Sequence, residues 1–306
     1  CLDKIPMLLK NFRQSVLAAA VSGELTKEWR KLEFNRVNAE IQLDLIKKKF
    51  QKNSTDNDSV VSLEIIESII PESWTSAKLK ELFYFIDYRG KTPKKSQSGK
   101  RLITAKNIRK GYVSNEPVEF VSEDLYESWM TRGFPKLNDI FFVTEGHTMG
   151  FAALNKLEFE FAVGQRIITL QPKEGVSSEV FFYFILSPQF QKLIEANSTG
   201  TAAVGIKGSK LKMLILPFPT LEEQKEIVRK VKDLFQYADA IEVRYQKAKT
   251  WFDKIPQAIL AKAFRGEIVP QDENDEPAIV MLERLKAEKA TSIKSKETRY
   301  RHKQLQ

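Results

Sequence analysis

The feature that most constrains this chain is a long apolar stripe in its C-terminal third. Its positions step alternately by four and three residues: Ile227, Val231, Leu234, Ala238, Ile241, Tyr245, Ala248, Phe252, Ile255 and Ile259. This spacing is the a/d pattern of a coiled-coil seam, and the residues between are rich in Glu, Lys and Arg. It predicts one helix over Leu221–Phe264, about 66 Å long at about 1.5 Å per residue. An amphipathic helix packed on a globular core is the alternative. Pro256 is expected to kink the helix or begin a new one.

A short element occurs twice, near the two ends of the chain. QSVLAAAVSGEL at 14–25 and QAILAKAFRGEI at 257–268 align without a gap. A Gly-Glu pair closes both copies, and glycine directly after an apolar helical run is a stop signal. The second copy ends the predicted long helix. The first is therefore interpreted as the end of an equivalent helix that would begin about twenty residues before Cys1, in a tandem pair of units. A chance likeness between two Ala-rich helices is the alternative.

Two further stripes predict helices in the N-terminal segment. Helical spacing relates Ile5, Leu8, Phe12, Val16 and Ala19, and this helix is expected to end at Gly23. A second helix over about 30–51 is predicted from a second set with the same kind of spacing: Leu32, Val37, Ile41, Leu45 and Phe50. The polar, turn-forming residues 51–60 are interpreted as a flexible linker.

The sequence changes character between PESW at 71–74 and PFP at 217–219. Short runs such as DIFFV, RIITL and LKMLIL alternate with Gly, Pro and Asn, which is typical of strands joined by loops. SEVFFYFILS and PQFQKLIEAN predict two short helices. The fold class is therefore α+β, with a mixed α/β domain flanked by a long coiled-coil-type helix and N-terminal helices. The predicted segments are 1–51 (helical), 52–70 (linker), 71–219 (mixed domain), 220–269 (long helix) and 270–306 (C-terminal helix and basic tail, disordered from Thr291).

The charge balance favours an anionic partner. The chain of 306 residues carries 49 Lys+Arg against 40 Asp+Glu, a net charge of +9. Such a surplus is typical of proteins that bind nucleic acid, an acidic protein or a membrane surface. The longest strongly apolar run, VFFYFIL, is far shorter than the roughly 20 residues that span a bilayer, so no membrane partner is expected. The single cysteine and the lack of a visible export signal favour a cytoplasmic location.

Much of the positive charge lies in one acid-free segment, 88–115. Its cationic residues are Arg89, Lys91, Lys94, Lys95, Lys100, Arg101, Lys106, Arg109 and Lys110. Lys and Arg neutralise phosphates, while Arg, Asn and Gln can make bidentate contacts to base edges. A second acid-free segment, 197–212, adds Lys207, Lys210 and Lys212 among glycines. A solvated surface would explain either segment alone, and the two together favour DNA binding.

No motif indicates catalysis. GKT at 90–92 lacks the upstream glycine of a phosphate-binding loop, because Phe85 occupies that position. Asp139 and Glu145 flank an apolar strand as nuclease carboxylates do, but no Glu-x-Lys follows. Two histidines and one cysteine give no metal-ligand cluster. The sequence therefore predicts no catalytic residue, no metal site and no cofactor in this chain.

Five motifs together resemble one known family. They are NFRQSVLAAAVSGELTKEWR (11–30), PESW (71–74), ITAKNIRKGYVS (103–114), FAVGQRIITLQP (161–172) and LPFPTLEEQKEIVRKV (216–231). In this order they resemble the specificity subunit of type I restriction-modification systems, over nearly the whole chain. The resemblance implies a non-catalytic protein with two target-recognition domains separated by antiparallel helices. Each domain reads one half of a split DNA sequence.

The resemblance also implies the partners. They are double-stranded DNA, modification subunits that methylate adenine with S-adenosylmethionine, and restriction subunits that cut DNA by ATP-driven translocation. S-adenosylmethionine, ATP and Mg are expected in those subunits. This chain resembles the C-terminal half, with the second recognition domain and the distal helix. An antiparallel helix is expected from the missing N-terminal half or from a second copy of a half-length subunit.

The residues expected to contact DNA lie in the basic and polar loops of the mixed domain. They are Lys91, Lys94, Lys95, Lys106, Asn107, Arg109, Tyr112, Thr144, Glu145, His147, Gln165, Arg166, Lys207 and Lys210. Glu145 is included because a carboxylate can accept from cytosine N4, whereas Gln165 and Arg166 could equally be structural. The helix would act as spacer and as docking surface for modification subunits. The alternatives are a coiled-coil adaptor that binds an acidic protein and a stand-alone nuclease.

Overall fold

The computed structural model describes residues 2–32, 38–50, 70–90, 92–200, 204–270, 272 and 274–303. Residues 51–69 lie outside this part of the chain. Of the predicted linker, 52–70, only residue 70 is therefore described. The chain divides into two compact units, Cys1–Val243 and Arg244–Gln306. This division falls inside the long helix and does not coincide with the five predicted segments, which stay predictions.

Helices and strands are mixed along the chain, which confirms the predicted fold class. The helices are α1 Ile5–Val21, α2 Lys27–Leu32, α3 Ala39–Phe50, α4 Leu79–Leu82, α5 Glu123–Trp129, α6 Ser178–Leu186, α7 Pro188–Asn197, α8 Gly208–Met213, α9 Leu221–Phe264 and α10 Ala278–Lys303. The strands are β1 Thr75–Lys78, β2 Phe83–Asp87, β3 Lys100–Ile103, β4 Phe120–Val121, β5 Ile140–Val143, β6 Ala152–Leu154, β7 Phe161–Val163, β8 Ile167–Pro172 and β9 Ile215–Phe218. In the described part of the chain, no helix combines the length and the apolar character that crossing a membrane requires.

The mixed domain is built on a four-stranded sheet in the order β2-β8-β5-β6, beside a three-stranded sheet β4-β3-β7 and the pair β1-β9. Strand β5 is buried at all four positions. Ile140 and Phe142 belong to the apolar cluster that contains the helices, whereas Phe141 and Val143 belong to the cluster that contains the three-stranded sheet. Because successive side chains of a strand point to opposite faces, this sheet is covered on both sides.

The structure confirms most of the predicted elements of the mixed domain. DIFFV and RIITL supply β5 and β8, and the two apolar runs predicted as helices form α6 and α7. LKMLIL at 211–216 is not one strand, because its first half completes α8 and only Ile215 and Leu216 enter β9. Leu211 and Leu216 are both buried. The apolar run therefore predicted burial correctly, but its prediction of a single strand was wrong.

The buried face of α1 differs from the predicted stripe. Leu8 is exposed, and Leu9 and Leu17 are buried in addition to the predicted Val16. Phe12 packs partly buried against the core, as its place in the stripe predicts. Apolar residues are so frequent in this segment that more than one stripe fits helical spacing.

The second predicted stripe was also wrong. Its segment forms two helices, α2 and α3, and Leu32, Ile41 and Leu45 are exposed. Val37 lies outside the described residues. The face of α3 that enters the core consists of three other residues: Ala39, Leu43 and Ile46.

Helix α9 has the predicted bounds and continues through Pro256 without a break. Early in the stripe, Ile227 and Val231 are buried in the same apolar cluster as Leu17 of α1. This part of the helix packs on its own domain, as the alternative interpretation predicts. Ala238 and Tyr245 are also buried, Leu234, Ile241, Ala248 and Ile255 are half-buried, and Phe252 and Ile259 are 50% and 52% exposed.

Helix α10 corrects the expectation of a disordered tail. It runs to Lys303, and therefore includes the basic segment from Thr291. Five of the residues 291–303 are Lys or Arg, which are good helix formers and favour a helix over a disordered chain.

The two copies of the repeated element end in the same way. Helices α1 and α9 each stop two residues before the glycine of the Gly-Glu pair. Gly23 and Gly266 both have left-handed backbones, with φ of 77° and 71°. A side chain at Gly23 would also place its Cβ 2.5 Å from Pro71 Cγ. The predicted stop signal is confirmed at both positions.

Helices α1 and α9 run antiparallel in the first unit. Lys230 Nζ donates to the carbonyl of Leu25 at 3.0 Å. Towards the other end of α1, Arg13 forms ion pairs with Asp239 at 2.6 Å and Glu242 at 2.8 Å. The later residues of α9 therefore contact the earlier residues of the α1 segment, so the two helices are antiparallel.

The start of α9 is held by a buried carboxylate. Glu223 is fully buried and accepts hydrogen bonds from Thr26 Oγ1 at 2.6 Å, Arg30 NH1 at 2.5 Å and Trp74 Nε1 at 2.8 Å. Arg30 also donates to the carbonyl of Gly23 and lies over the Trp74 ring. A buried carboxylate is tolerated only when it is paired and hydrogen-bonded, and here two other motifs, 11–30 and PESW, supply the partners.

We expect Glu223→Gln to destabilise the protein by about 3 kcal/mol, because it removes a fully buried negative charge that pairs with the guanidinium of Arg30. Glu222→Gln is the matched control, since Glu222 is the exposed neighbour on the same helix and should change stability by less than about 0.5 kcal/mol. Urea unfolding of the two variants measures both values. Equal stabilities of the two variants would contradict this assignment.

A second buried carboxylate lies at the start of β5. Asp139 is 1% exposed, and burial raises its pKa from 3.8 to about 6. The backbone N–H of Lys136 and the side-chain amide of Gln171 donate to Oδ2 at 2.7 Å and 3.1 Å and lower the pKa, but do not cancel this effect. Between these two values the folded protein holds a proton that the unfolded chain releases.

The raised pKa predicts that stability falls as pH rises from about 4 to about 6, because ionising Asp139 costs more in the folded state. The loss from this one group is about 3 kcal/mol. Asp139→Asn keeps an oxygen for both donors and removes the titration. The difference in unfolding free energy between the wild type and this variant should therefore change with pH over that range, and a constant difference would contradict the assignment.

Candidate nucleic-acid interface

The sheet registers bring several loops to one edge of the mixed domain. Strands β2 and β5 both pair antiparallel with β8, so the ends of β2 and β5 lie beside the start of β8. Strands β3 and β7 are parallel, so their ends also lie side by side, and β7 leads directly into β8 through residues 164–166. The segments that leave these strand ends, together with 204–207, form what we call the loop edge: 88–90, 92, 104–115, 144–148, 164–166 and 204–207.

The segment 204–207 is joined to the loop after β5 by backbone hydrogen bonds. Ile206 N donates to the carbonyl of Thr144 at 2.8 Å, and Gly146 N donates to the carbonyl of Val204 at 2.9 Å. A side chain at Gly205 would bring its Cβ to 3.0 Å from Glu145 Cβ. Glycine therefore allows this close approach, which places Lys207 at the loop edge.

An ion pair joins the loops after β5 and β7. Arg166 Nε lies 3.0 Å from Glu145 Oε1, and the two side chains are 54% and 47% exposed. Thr144 donates to the carbonyl of Arg166 from its backbone N–H at 3.0 Å and from its hydroxyl at 3.3 Å. Thr144 is itself 1% exposed, so its side chain fixes the loop from beneath.

Gln165, beside this pair, contacts a residue that the sequence analysis did not name as a DNA contact. The Thr92 hydroxyl donates to the Gln165 side-chain carbonyl, and Thr92 is exposed while Gln165 is half-buried. Thr92 is the last residue of GKT at 90–92, but no pattern in the sequence relates it to Gln165. Lys91, the residue before it, lies outside the described residues.

The loop after β3 is a hairpin whose base is held by Asn107. Its Oδ1 accepts from Thr104 N at 3.0 Å and Thr104 Oγ1 at 3.2 Å. Its Nδ2 donates to the carbonyls of Ser114 at 3.2 Å and Pro117 at 2.9 Å. Asn107 is fully buried, and its amide group is occupied on both sides. Asn107 and Thr144 therefore shape the loop edge from within, and we leave both out of the proposed contact surface.

The hairpin tip is cationic and exposed. Ile108 and Val113 form a bridge, and Gly111 between them has a φ of 109°. Tyr112 is 61% exposed, Arg109 is half-buried with a guanidinium bond to the Lys106 carbonyl, and Lys110 is exposed. Lys110 was counted in the basic segment but not among the expected contacts. The Lys-Gly pair at a tight turn is the signal that would have identified it.

Much of the basic segment is balanced by carboxylates from elsewhere in the chain. Glu119 lies 2.8 Å from Lys95 and 3.7 Å from Lys106. Lys100 pairs with Glu160 at 2.6 Å and is 3.7 Å from Glu123. The segment is free of acids in sequence, but its positive charge is partly neutralised in space.

Arg89 is committed to the neighbouring Asp87. Two nitrogens of its guanidinium lie 2.8 Å and 2.6 Å from the Asp87 carboxylate. Burial alone would raise the pKa of Asp87, but the hydrogen bonds from Arg89 hold it below its ordinary value. The same bonds raise the pKa of Arg89 against the effect of burial. This pair closes β2 and contributes little net charge to the surface.

The remaining expected contacts divide between the loop edge and its surroundings. His147 and Lys207 are exposed within the loop edge. Lys94 is exposed next to Lys95, outside the loop edge as defined here. Lys210 lies on α8, where its Nζ is 3.4 Å from the carbonyl of Asn197. The expected contacts that lie within the loop edge are Lys106, Asn107, Arg109, Tyr112, Thr144, Glu145, His147, Gln165, Arg166 and Lys207.

A mixed domain whose loops converge at one edge, with antiparallel packing of the helices on either side of it in the sequence, is the architecture of a known class of protein. Residues 71–249 match the model of the type I restriction modification DNA specificity domain. The match covers more than half of the chain, and the chain belongs to this family.

Individual relatives agree with this assignment. The chain is 31% identical to the type I restriction enzyme EcoBI specificity subunit of Escherichia coli, over 97% of this chain and 60% of that protein. It is 29% identical to the EcoKI specificity subunit of Escherichia coli K12, over 97% of this chain and 59% of that protein. The chain thus spans about three fifths of the length of these curated relatives.

A solved structure has the same fold. A chain from a type I R-M system, studied for its assembly and conformational transition, superposes with a TM-score of 0.52 at 18% identity. The superposition covers 87% of this chain and 58% of that one. At this identity the likeness supports the fold alone.

We expect Asn107→Ala to destabilise the protein by about 2 kcal/mol or more, because two carbonyls and a backbone N–H at the hairpin base lose their partner in a buried site. Asn115→Ala is the matched control: its side chain is exposed in the same loop, and the change should be within about 0.5 kcal/mol. Denaturant unfolding measures both. An Asn107 variant as stable as the control would show that the buried amide does not hold the hairpin.

Proposed function

We propose that this chain is a non-catalytic, sequence-specific DNA-binding part of a type I restriction-modification specificity subunit, and that it reads one half of a bipartite target. The observation that carries the proposal is the loop edge. In a chain of the DNA specificity family, five strand ends deliver exposed cationic and hydrogen-bonding side chains to one side of a rigid sheet. Binding residues concentrate on loops that a rigid scaffold positions. Because the chain spans about three fifths of its relatives, one half-site is assigned to it.

The exposed cations divide by their surroundings. Within the described residues, no carboxylate lies within ion-pair distance of Lys94, Lys110 or Lys207. We assign these three to phosphate contacts, because each carries uncompensated charge. Lys95, Lys106 and Lys100 already have anionic neighbours, so their net contribution to phosphate binding is smaller.

Candidates for base contacts are the exposed and half-buried side chains in the centre of the loop edge. They combine donors and acceptors that suit base edges in a groove, and they include Tyr112, Glu145, His147, Gln165 and Arg166. Phosphate contacts position the protein, and contacts of this second kind discriminate between sequences. The segment 71–219 therefore carries both parts of recognition.

The two copies of the repeated element differ in exposure, and this supports a protein partner for the second copy. Val16, Leu17 and Val21 of the first copy are 6%, 3% and 7% exposed. The matching residues of the second copy are exposed to 52%, 56% and 90%: Ile259, Leu260 and Phe264. Large apolar surface of this kind marks protein contacts. We assign it to an antiparallel helix of the same subunit type and to docking of modification subunits.

The partner subunits supply the chemistry in this proposal. Modification subunits would bind S-adenosylmethionine, and restriction subunits would bind ATP and Mg, so this chain needs no cofactor of its own. The length of α9 would then act as a spacer that sets the distance between half-sites. A cytoplasmic location follows from this role, since the substrate is cellular or incoming DNA.

The competing functions differ in measurable ways. An adaptor for an acidic protein would use the same cations without preferring duplex DNA to a polyanion such as heparin. A stand-alone nuclease would cleave DNA on addition of a divalent metal. Within the described residues, no group of three or more His, Cys, Asp and Glu side chains is placed to hold a metal ion.

We expect the triple variant Lys94→Ala, Lys110→Ala, Lys207→Ala to bind duplex DNA with a weaker salt dependence. Each lost phosphate contact lowers the slope of log K against log salt concentration by about 0.9, so the slope should fall by about 2 to 3. Fluorescence anisotropy with a short labelled duplex, titrated at several salt concentrations, measures this slope.

The control variant removes the same charge from the helices instead: Lys10→Ala, Lys48→Ala, Lys225→Ala. These lysines are exposed on α1, α3 and α9, and the slope should stay at the wild-type value. Equal slopes for the two triple variants would contradict the assigned surface. Equal affinity of the wild type for duplex and for heparin would favour the adaptor.

A further inference from the structure

Arg166 has an unusual backbone conformation for its residue type. Its φ is 73°, in the left-handed region that glycine adopts without strain and that side chains with a Cβ disfavour. Among the described residues, the other non-glycine residue with a positive φ is Asn138, at 69°. Asparagine tolerates this region because its short polar side chain can bond locally, whereas arginine has no such advantage. Strained residues of this kind concentrate at functional sites.

The strained backbone is firmly held. Both bonds from Thr144 end on the Arg166 carbonyl, and Thr144 is buried. The guanidinium, in contrast, is more than half exposed, so packing does not explain why arginine stands here. An exposed ion pair adds little to stability, and therefore the pair with Glu145 does not explain it either.

The ion pair leaves one side of the guanidinium available. Glu145 Oε1 lies 3.0 Å from Nε, and within the described residues the two terminal nitrogens donate no hydrogen bond. These two nitrogens form a planar fork that matches the O6 and N7 acceptors of guanine in the major groove. Glu145 limits the rotation of the side chain, so the fork is oriented before DNA arrives.

Charge decides between a base and a phosphate as the ligand. The pair of Arg166 and Glu145 has no net charge, and the carboxylate would repel a phosphate brought beside it. A base edge is neutral, and the cytosine opposite guanine offers an N4 amino group that a carboxylate oxygen accepts. The pair therefore suits a G·C base pair better than the DNA backbone.

We propose that Arg166 reads one guanine of the half-site through its two terminal nitrogens, and that Glu145 is the positioning residue that orients it. This inference rests on the proposed function, because it assumes that duplex DNA occupies the loop edge. It adds the chemical identity of one recognised base pair and the two side chains that select it.

The experiment is selection from a randomised duplex library by the full chain, followed by affinity measurements on the selected duplex. The wild type is expected to select guanine at one position of the duplex. At that position Arg166→Gly should lose the preference for guanine, with discrimination against the other bases reduced by about 10- to 100-fold. Arg166→Lys should reduce the discrimination to a lesser degree, since an ammonium can reach the same acceptors but lacks the planar fork. Preferences at the other positions should persist.

Two readouts separate recognition from folding. Arg166→Gly relieves the left-handed strain, so its unfolding midpoint should be no lower than that of the wild type. Replacing the selected guanine by 7-deazaguanine, which lacks N7, should weaken the wild type and leave Arg166→Gly unchanged. Glu145→Gln should reduce the preference at the same guanine without lowering the unfolding midpoint.

Asn138→Gly is the matched control. It relieves the same backbone strain but lies before β5, at the opposite end of that strand from Glu145. Its base preferences should equal those of the wild type. Undiminished guanine selection by Arg166→Gly would overturn this inference while leaving the proposed function standing. Failure of the wild type to bind any duplex would overturn both.

Discussion

The architecture depends on one buried carboxylate, Glu223, and on the donors that surround it. Its partners come from the GELTKEWR segment, which supplies Thr26 and Arg30, and from PESW, which supplies Trp74. An unpaired charge in this position would be costly, so the folded state requires all three segments to meet. They meet where α9 begins, and this fixes α1, α2 and the entry to β1 around the start of the long helix. Three of the five motifs that resemble the family thus act as one physical unit.

In the proposed function, stability and recognition are carried by different residues of the mixed domain. The four-stranded sheet is covered on both faces by apolar side chains, which makes it rigid. Its registers place the strand ends, and the buried polar residues Asn107 and Thr144 hold the loops that follow. The side chains exposed beyond them are free to differ between proteins without altering the core. A scaffold of this kind accommodates changes in the recognised sequence through its loops alone.

Periodicity and stop signals predicted the helical framework, including both ends of α9 and the glycine that terminates α1. They did not predict which stripe of α1 and α3 would be buried, because several stripes fit when apolar residues are dense. Because Asn107 and Thr144 are polar, the sequence predicted them as DNA contacts. Both are buried in the structure, and this burial depends on tertiary packing that the sequence pattern does not show. The neutralisation of Lys95 by Glu119 and the left-handed backbone of Arg166 also depend on the fold. Composition favoured an anionic partner, and only the structure separated supporting residues from exposed ones.

The most direct test of the central claim is hydrogen–deuterium exchange of the full chain with and without a short DNA duplex at low salt. The account predicts slower exchange on DNA binding in peptides that cover 104–112, 144–148 and 204–207, and no change in peptides from α1 or α3. A duplicate measurement at high salt should remove the protection, because phosphate contacts are screened. Protection confined to the helices, with these loops exchanging as they do in the free protein, would contradict it.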